Sequence, residues 1–369
     1  MVKDLRICVF VLALMMGGKV SAQGIEWSRD IVKIAPAGGY ARVLRTGDDT
    51  LMAAFEDGRG NVAVTRTQDG FSWDSPRVVI PGFMYHCGED SVYVNVANAE
   101  ICLLSNGTLL CAGNYRPAGN GVYPFSIVLC SSEDGGATWS APTILYQAGT
   151  SFRDGCWEPS FLELPSGEVH IYFADEGPYT ASSEQQISFI RSSDGGHSWS
   201  EPAMVCFRPW HRDGMPVAAI FGDEIVVAIE DNADGRFKPY TVRSSIDNPW
   251  QVPVYDDSPC RSFALADSVD ASVYMGAPYL IRLPGGHALL SYQTTEGIGE
   301  QWELSCMEVA VGDASARNFT SRSRPFGNST GLWNSLALWD ADTVVAVTTA
   351  DLDGNGPAPW LRFGRIPTK

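Results

Sequence analysis

Apolar residues in this chain fall in short runs broken by Gly, Pro, Asp and Ser, with none of the long Ala, Glu, Lys and Leu stretches that helices need. One phrase shows the pattern. Glu158-Pro-Ser-Phe-Leu-Glu-Leu-Pro-Ser-Gly-Glu-Val-His-Ile-Tyr-Phe reads as strand, tight turn, strand. Aligned on the turn, it recurs at Tyr40-Ala-Arg42, Asn98-Ala-Glu100, Met215-Pro-Val217, Ala277-Pro-Tyr279 and Trp333-Asn-Ser335. The positions in register are 42, 100, 160, 217, 279 and 335, spaced by 58, 60, 57, 62 and 56 residues. Six near-equal units of about four strands predict an all-β fold, a six-bladed β-propeller. Two stacked β-sandwiches would not produce six evenly spaced copies.

A second motif punctuates the units. Ser132-Glu-Asp134-Gly-Gly136-Ala-Thr138-Trp139 recurs as Ser192-Ser-Asp194-Gly-Gly196-His-Ser198-Trp199, in a shorter form at Thr67 to Trp73, and in a degenerate one at Ser245 to Trp250. Asp and Gly make the hairpin turn, the Asp and Ser/Thr oxygens bind turn amides, and the Trp packs under neighbouring strands.

Composition agrees with this reading: 37 Gly, 22 Pro and 11 Trp accompany only 19% charged residues. A net charge of −17 repels a polyphosphate backbone, which excludes nucleic acid as the expected partner. Lys3 and Arg6, the apolar run from Ile7 to Met16, and Val20-Ser21-Ala22 lay out a cleavable leader over residues 1–22. The mature chain, residues 23–369, is then expected to be one propeller, secreted or periplasmic, acting as a monomer, with no integral membrane segment. Eight cysteines remain after the leader. They form no CxxC pair, so no zinc site is expected, and a buried thiol or a disulfide each suits Cys102 and Cys111.

Antiparallel order puts the start of each innermost strand and the end of each second strand on one face, and the Asp-containing turns on the other. The first face collects Arg42, Asn98, Glu100, Glu158, Tyr279 and Trp333 from strand starts. Second-strand ends add Glu56, Asn114, Asp175, Glu176, Glu230 and Gln293, and entry loops add Arg153, Asp154, Trp157, Arg212 and Asp213. Aromatic faces, amides and paired carboxylates suit a sugar, and no phosphate-binding glycine loop is present. Two acids stand out. Glu158 lies between Trp157 and Pro159, where shielding favours a retained proton, and Glu230 ends the apolar strand Val226 to Ile229. Strand-end acids also occur as solvated rim groups.

These repeats resemble the sialidase superfamily, whose blades carry the Asp box Ser-x-Asp-x-Gly-x-Thr-Trp. Trp157-Glu158-Pro159, then Arg212-Asp-Gly-Met-Pro216, then Glu230, look more narrowly like the exo-α-1,5-L-arabinanases of glycoside hydrolase family 93. That resemblance implies a retaining double displacement on an oligosaccharide or polysaccharide. It makes Glu158 the acid/base and Glu230 the nucleophile, separated by ~5–5.5 Å, with neither metal nor organic cofactor. Arg42, Asn98, Asn114, Trp157, Arg212 and Tyr279 are the expected substrate-binding residues. A family tyrosine beside the nucleophile is matched by Tyr279 or by Tyr292. Two other readings stand beside it: an exo-α-sialidase, with Arg42 and Arg212 as part of an arginine clamp, and a propeller that binds glycan without cleaving it.

Overall fold

The computed structural model describes residues 24–47 and 50–366, so the leader expected over residues 1–22 lies outside the described residues. Six antiparallel sheets account for the strands. Blade I runs Gly39–Arg45, Leu51–Glu56, Val62–Thr67 and Arg77–Ile80, from the axis outward. Blades III (from Cys156–Glu163), IV (from Asp213–Phe221) and V (from Met275–Arg282) repeat this four-strand order. Blade VI takes Leu332–Leu338, Thr343–Ala350 and Ala358–Arg365, and the N-terminal strand Glu26–Lys33 completes it as the outermost member. The innermost strands pack on one another in sequence, and that of blade VI packs on that of blade I, closing the ring.

Blade II departs from the four-strand expectation. Its inner strand, Asp90–Leu103, is extended at its start and pairs there with an added strand, Phe83–Cys87. The sequence hides this because the run from Phe83 to Leu103 has no proline to separate hairpin from blade.

Apolar cores lie between blades. Ile171 and Phe173 of blade III, for example, meet Ile225, Val227 and Ile229 of blade IV. Turns between third and fourth strands behave as expected. Asp134 Oδ1 accepts the Thr138 amide at 2.8 Å and the Ser132 hydroxyl at 2.8 Å, and Asp194 repeats both bonds with Ser198 and Ser192. Trp250 reaches into the blade III core, where its indole N–H donates to the Tyr172 hydroxyl at 3.0 Å. Blade V has an equivalent turn that the motif does not reveal: Asp313 Oδ1 accepts the amides of Ser315 and Arg317. All eight cysteines among the described residues are free thiols.

The six residues aligned from sequence share one structural position. Each of Arg42, Glu100, Ser160, Val217, Tyr279 and Ser335 is the first inner-strand residue to pair again after a β-bulge. Two residues earlier in each blade stands a non-glycine residue in the left-handed region: Tyr40, Asn98, Glu158, Met215, Ala277 and Trp333, with φ from 49° to 60°. Such a conformation costs about 1–2 kcal/mol per residue and persists only where surrounding contacts hold it.

Candidate active site

Those contacts build the site. At most blade junctions, the side chain paired just before the bulge on the second strand reaches to the next blade and accepts the amide of its left-handed residue. Thr349 Oγ1 takes the Tyr40 amide at 2.9 Å, Glu56 Oε1 that of Asn98 at 2.7 Å, Glu230 Oε2 that of Ala277 at 2.7 Å, and Gln293 Oε1 that of Trp333 at 2.9 Å. Blade III carries Ala174 at this position, which has no acceptor to offer. Glu158 supplies it instead, its Oε2 accepting the Met215 amide at 3.0 Å.

Glu158 and Glu230 therefore converge on one part of the front face, each with Oε2 held by a backbone amide. Among the described residues no hydrogen bond occupies Oε1 of either. Both are partly buried. Burial raises Glu158 to about 7, against the pull of the Met215 amide and Arg212. Burial, with the charge of Glu158 added, raises Glu230 to about 8. Each carboxyl is poorly solvated and holds its proton more tightly than an ordinary carboxyl does, and the charge of Glu158 adds to the effect at Glu230.

Glycines make room for Glu230. A Cβ on Gly214, its cross-strand partner, would stand 3.1 Å from Glu230 Oε1. One on Gly276 would stand 2.5 Å from Oε2 and 2.3 Å from the Tyr274 hydroxyl, so hydroxyl and carboxylate crowd one point. Gln293 Nε2 donates to the Tyr274 oxygen at 3.0 Å, which leaves the tyrosine's own proton free to point at Glu230. Tyr274 thus occupies the place expected of Tyr279 or Tyr292. Tyr292 is elsewhere, donating to Glu308 at 2.9 Å.

Arg212 bears on both acids electrostatically. Its guanidinium is fixed by Glu176, Gln185 and the Ser183 carbonyl. Glu176 also accepts the Trp157 indole N–H at 3.0 Å. On the opposite wall Tyr274, Trp302 and Trp333 form a chain of rings with centroids 6.2 and 6.0 Å apart. Tyr40, Met215 and Ala277 meet with Trp333 as the floor.

Most of the residues expected to hold substrate lie deeper than strand position alone implies. Arg42 is 2% exposed, stacked under Tyr40 at 3.9 Å, and donates to the Trp333 carbonyl at 3.1 Å, with Glu100 as its counterion at 3.5 Å. Tyr279 packs on the far side of Arg42 and lines a separate cavity of about 330 Å³ with Leu162, Ile220 and Leu280. Asn114 is fully buried and bonds the Cys156 carbonyl at 3.3 Å, bracing the strand that carries Glu158. Trp157 is covered by Phe152 and Arg116, and Asn98 is buried with its amide on Glu56. Of the six, Arg212 and Tyr279 stay partly exposed, Arg212 beside the acid pair and Tyr279 on the separate cavity. Nor do three arginines meet: Arg42 sits on Glu100, Arg212 on Glu176, and Arg261 in a buried cluster with Asp213 and Asp231.

Arg116, Tyr274 and Trp302 escaped the sequence-based reading, and Glu56 was placed on the front face without a role. Tyr274 could have been found from its place two residues before Gly276, at the mouth of the blade V inner strand. Among the described residues no cluster of His, Cys, Asp and Glu has the makings of a metal site, and no helix is long and apolar enough to cross a membrane.

No family model and no curated protein matches the sequence. Solved structures do. A protein of unknown function from Dyadobacter fermentans superposes with a TM-score of 0.68 at 15% identity, covering 93% of this chain and 100% of that one. The family 93 α-L-arabinofuranosidase of Fusarium graminearum, solved with arabinobiose, gives 0.67 at 17% identity over 93% and 98%. The α-L-arabinanase of Penicillium chrysogenum, also solved with arabinobiose, gives 0.62 at 18% over 94% and 97%. Sialidases are among the similar structures as well. The chain thus has the six-bladed, sialidase-like propeller fold that these arabinan-directed enzymes and sialidases share.

Proposed function

We propose that this chain is an exported, retaining exo-glycoside hydrolase of the exo-α-1,5-L-arabinanase kind. The observation that carries the reading is the pair Glu158 and Glu230, pinned at Oε2 by successive blades, open at Oε1 and raised toward neutral pH. Glu158 acts as general acid, passing its proton to the glycosidic oxygen as that bond breaks. In the reactive form the proton is on Glu158, although Glu230 binds it the more tightly in the free protein; Glu230, so ionised and flanked by the Tyr274 hydroxyl and the Ala277 amide, attacks the anomeric carbon. Glu158 then takes a proton from water, which releases the sugar from Glu230. Arg212 offsets the negative charge of the pair, and the Tyr274, Trp302 and Trp333 wall offers apolar faces to the sugar ring.

The separate engagement of Arg42, Arg212 and Arg261 speaks against a sialidase, which would need them convergent on one carboxylate. A release assay on debranched arabinan beside a sialoside tests the proposal. Arabinose or arabino-oligosaccharide release supports it. Cleavage of the sialoside alone, or of neither, overturns it.

A further inference from the structure

A groove of about 470 Å³ opens beside the acid pair at the junction of blades I and II, lined by Glu56, Gly58, Gly60, Asn95, Arg116 and Phe152 among others. Arg116 is its distinctive member. The guanidinium lies over the rings of Phe152 at 5.0 Å and Trp157 at 5.4 Å, and is partly exposed. Among the described residues it makes no hydrogen bond or ion pair with its side chain. Stacking fixes the plane and leaves the N–H edge unspent, an arrangement suited to donating to oxygens of a ligand. Acceptors sit nearby. Asn95 uses its Nδ2 on the Arg116 carbonyl at 3.3 Å and leaves Oδ1 free, while Glu56 has its Oε1 on the Asn98 amide and its Oε2 unengaged. Phe152 is 52% exposed and forms the side wall, its loop anchored where its amide donates to Asn120 at 3.0 Å.

Donors and acceptors in one wall fit the hydroxyls of a neutral sugar. A carboxylated ring would face Glu56. The groove also lies on one particular side of the pair, since Arg116 lies over Trp157, the residue next to Glu158, whereas Glu230 is turned toward Tyr274 and Gly276 of blade V. The geometry points to this groove as the site of the leaving-side sugar, the neutral residue whose glycosidic oxygen Glu158 protonates. This rests on the glycosidase reading, with Glu158 as the acid.

The test compares two substrates on Arg116→Met and Asn95→Ala. Linear α-1,5-L-arabinotetraose places a sugar in the groove, and 4-nitrophenyl α-1,5-L-arabinobioside places a flat phenol there with none of the hydroxyls. An influence of Arg116 on the acidity of Glu158 weighs more on the sugar leaving group than on the activated phenolate, so the uncharged Asn95→Ala is the deciding variant and Arg116→Met is read beside it. The expected result is a loss in kcat/KM on the tetraose that exceeds the loss on the aryl glycoside by about tenfold for each variant. Equal losses on the two substrates overturn the assignment while leaving the glycosidase reading intact. A wild-type chain that cleaves neither substrate sinks both.

Discussion

Glu158 accepts the Met215 amide at 3.0 Å because the position that would otherwise do so, Ala174, is a methyl group. A left-handed residue in one blade thereby becomes the clamp for the left-handed residue of the next. The carboxylate is both a structural acceptor and the proposed acid, which separates the consequences of two kinds of substitution.

Glu158→Gln and Glu230→Gln keep a carbonyl oxygen for the Met215 and Ala277 amides. Each is expected to fold normally and to lose about 10³-fold or more in kcat on arabinan. Glu158→Leu removes the acceptor as well, and is expected to cost a further 1–3 kcal/mol or so of stability through the stranded amide. Thermal unfolding alongside steady-state rates checks both; a Gln variant with wild-type turnover removes that residue from the mechanism.

Both acids titrate above their unfolded range, Glu158 at about 7 and Glu230 at about 8. For a carboxyl with a raised folded pKa, the folded state binds the proton more tightly than the unfolded chain does. Stability is therefore greatest below the unfolded value and is lost as pH rises toward 7 and 8. The wild type is expected to lose on the order of 1–3 kcal/mol across that interval, after allowance for partial solvation, and Glu230→Gln to lose less. Denaturant titrations at pH 5 and 8.5 measure the difference. Activity should fall over the same alkaline range as the proposed acid, Glu158, loses its proton.

Gly276→Ala places a methyl group against Glu230 Oε2 and the Tyr274 hydroxyl. These are side-chain ends and can swing aside, so the fold is expected to survive. Their displacement is expected to cost about 100-fold in kcat. Unchanged kcat would mean that the position of Tyr274 relative to Glu230 does not matter.

Arg42→Met tests the buried pair. Leaving Glu100 without its cation is expected to destabilise the protein by about 3–5 kcal/mol, and Glu100→Gln in the same chain to recover much of that. Burial holds Glu100 at about 7 even with Arg42 present. The KM for arabinan should hardly move in the double variant; a large rise would return Arg42 to the substrate.

The propeller was legible because its signals are local and repeated. The Asp134 and Asp194 turns announce hairpins, and the phrase around Glu158 recurs at every bulge. That Glu158 and Glu230 face the same side was legible from strand order: Glu230 ends an apolar strand, and Glu158 lies between Trp157 and Pro159 at the start of an inner one. Depth was not. Arg42 and Asn114 occupy front-face positions in the strand alignment, yet the bulges tilt them inward beneath Tyr40 and behind Cys156. Tyr274 was missed because it precedes the strand and reaches the site only through the absence of a side chain at Gly276. The added strand Phe83–Cys87 pairs with a continuation of a strand already assigned, which no repeat marks.

The sheet that closes the ring joins Glu26–Lys33 to Ala358–Arg365, segments far apart in the chain. Blade VI therefore cannot be completed until the chain has been made as far as Arg365, and its final pairing spans more than three hundred residues of intervening chain. Contacts so distant in sequence make for slow folding. They also make the molecule a clasp: a truncation past Glu26 unhooks the sheet that supplies Thr349 to Tyr40, and loosens the floor beneath the acids from the far side of the ring.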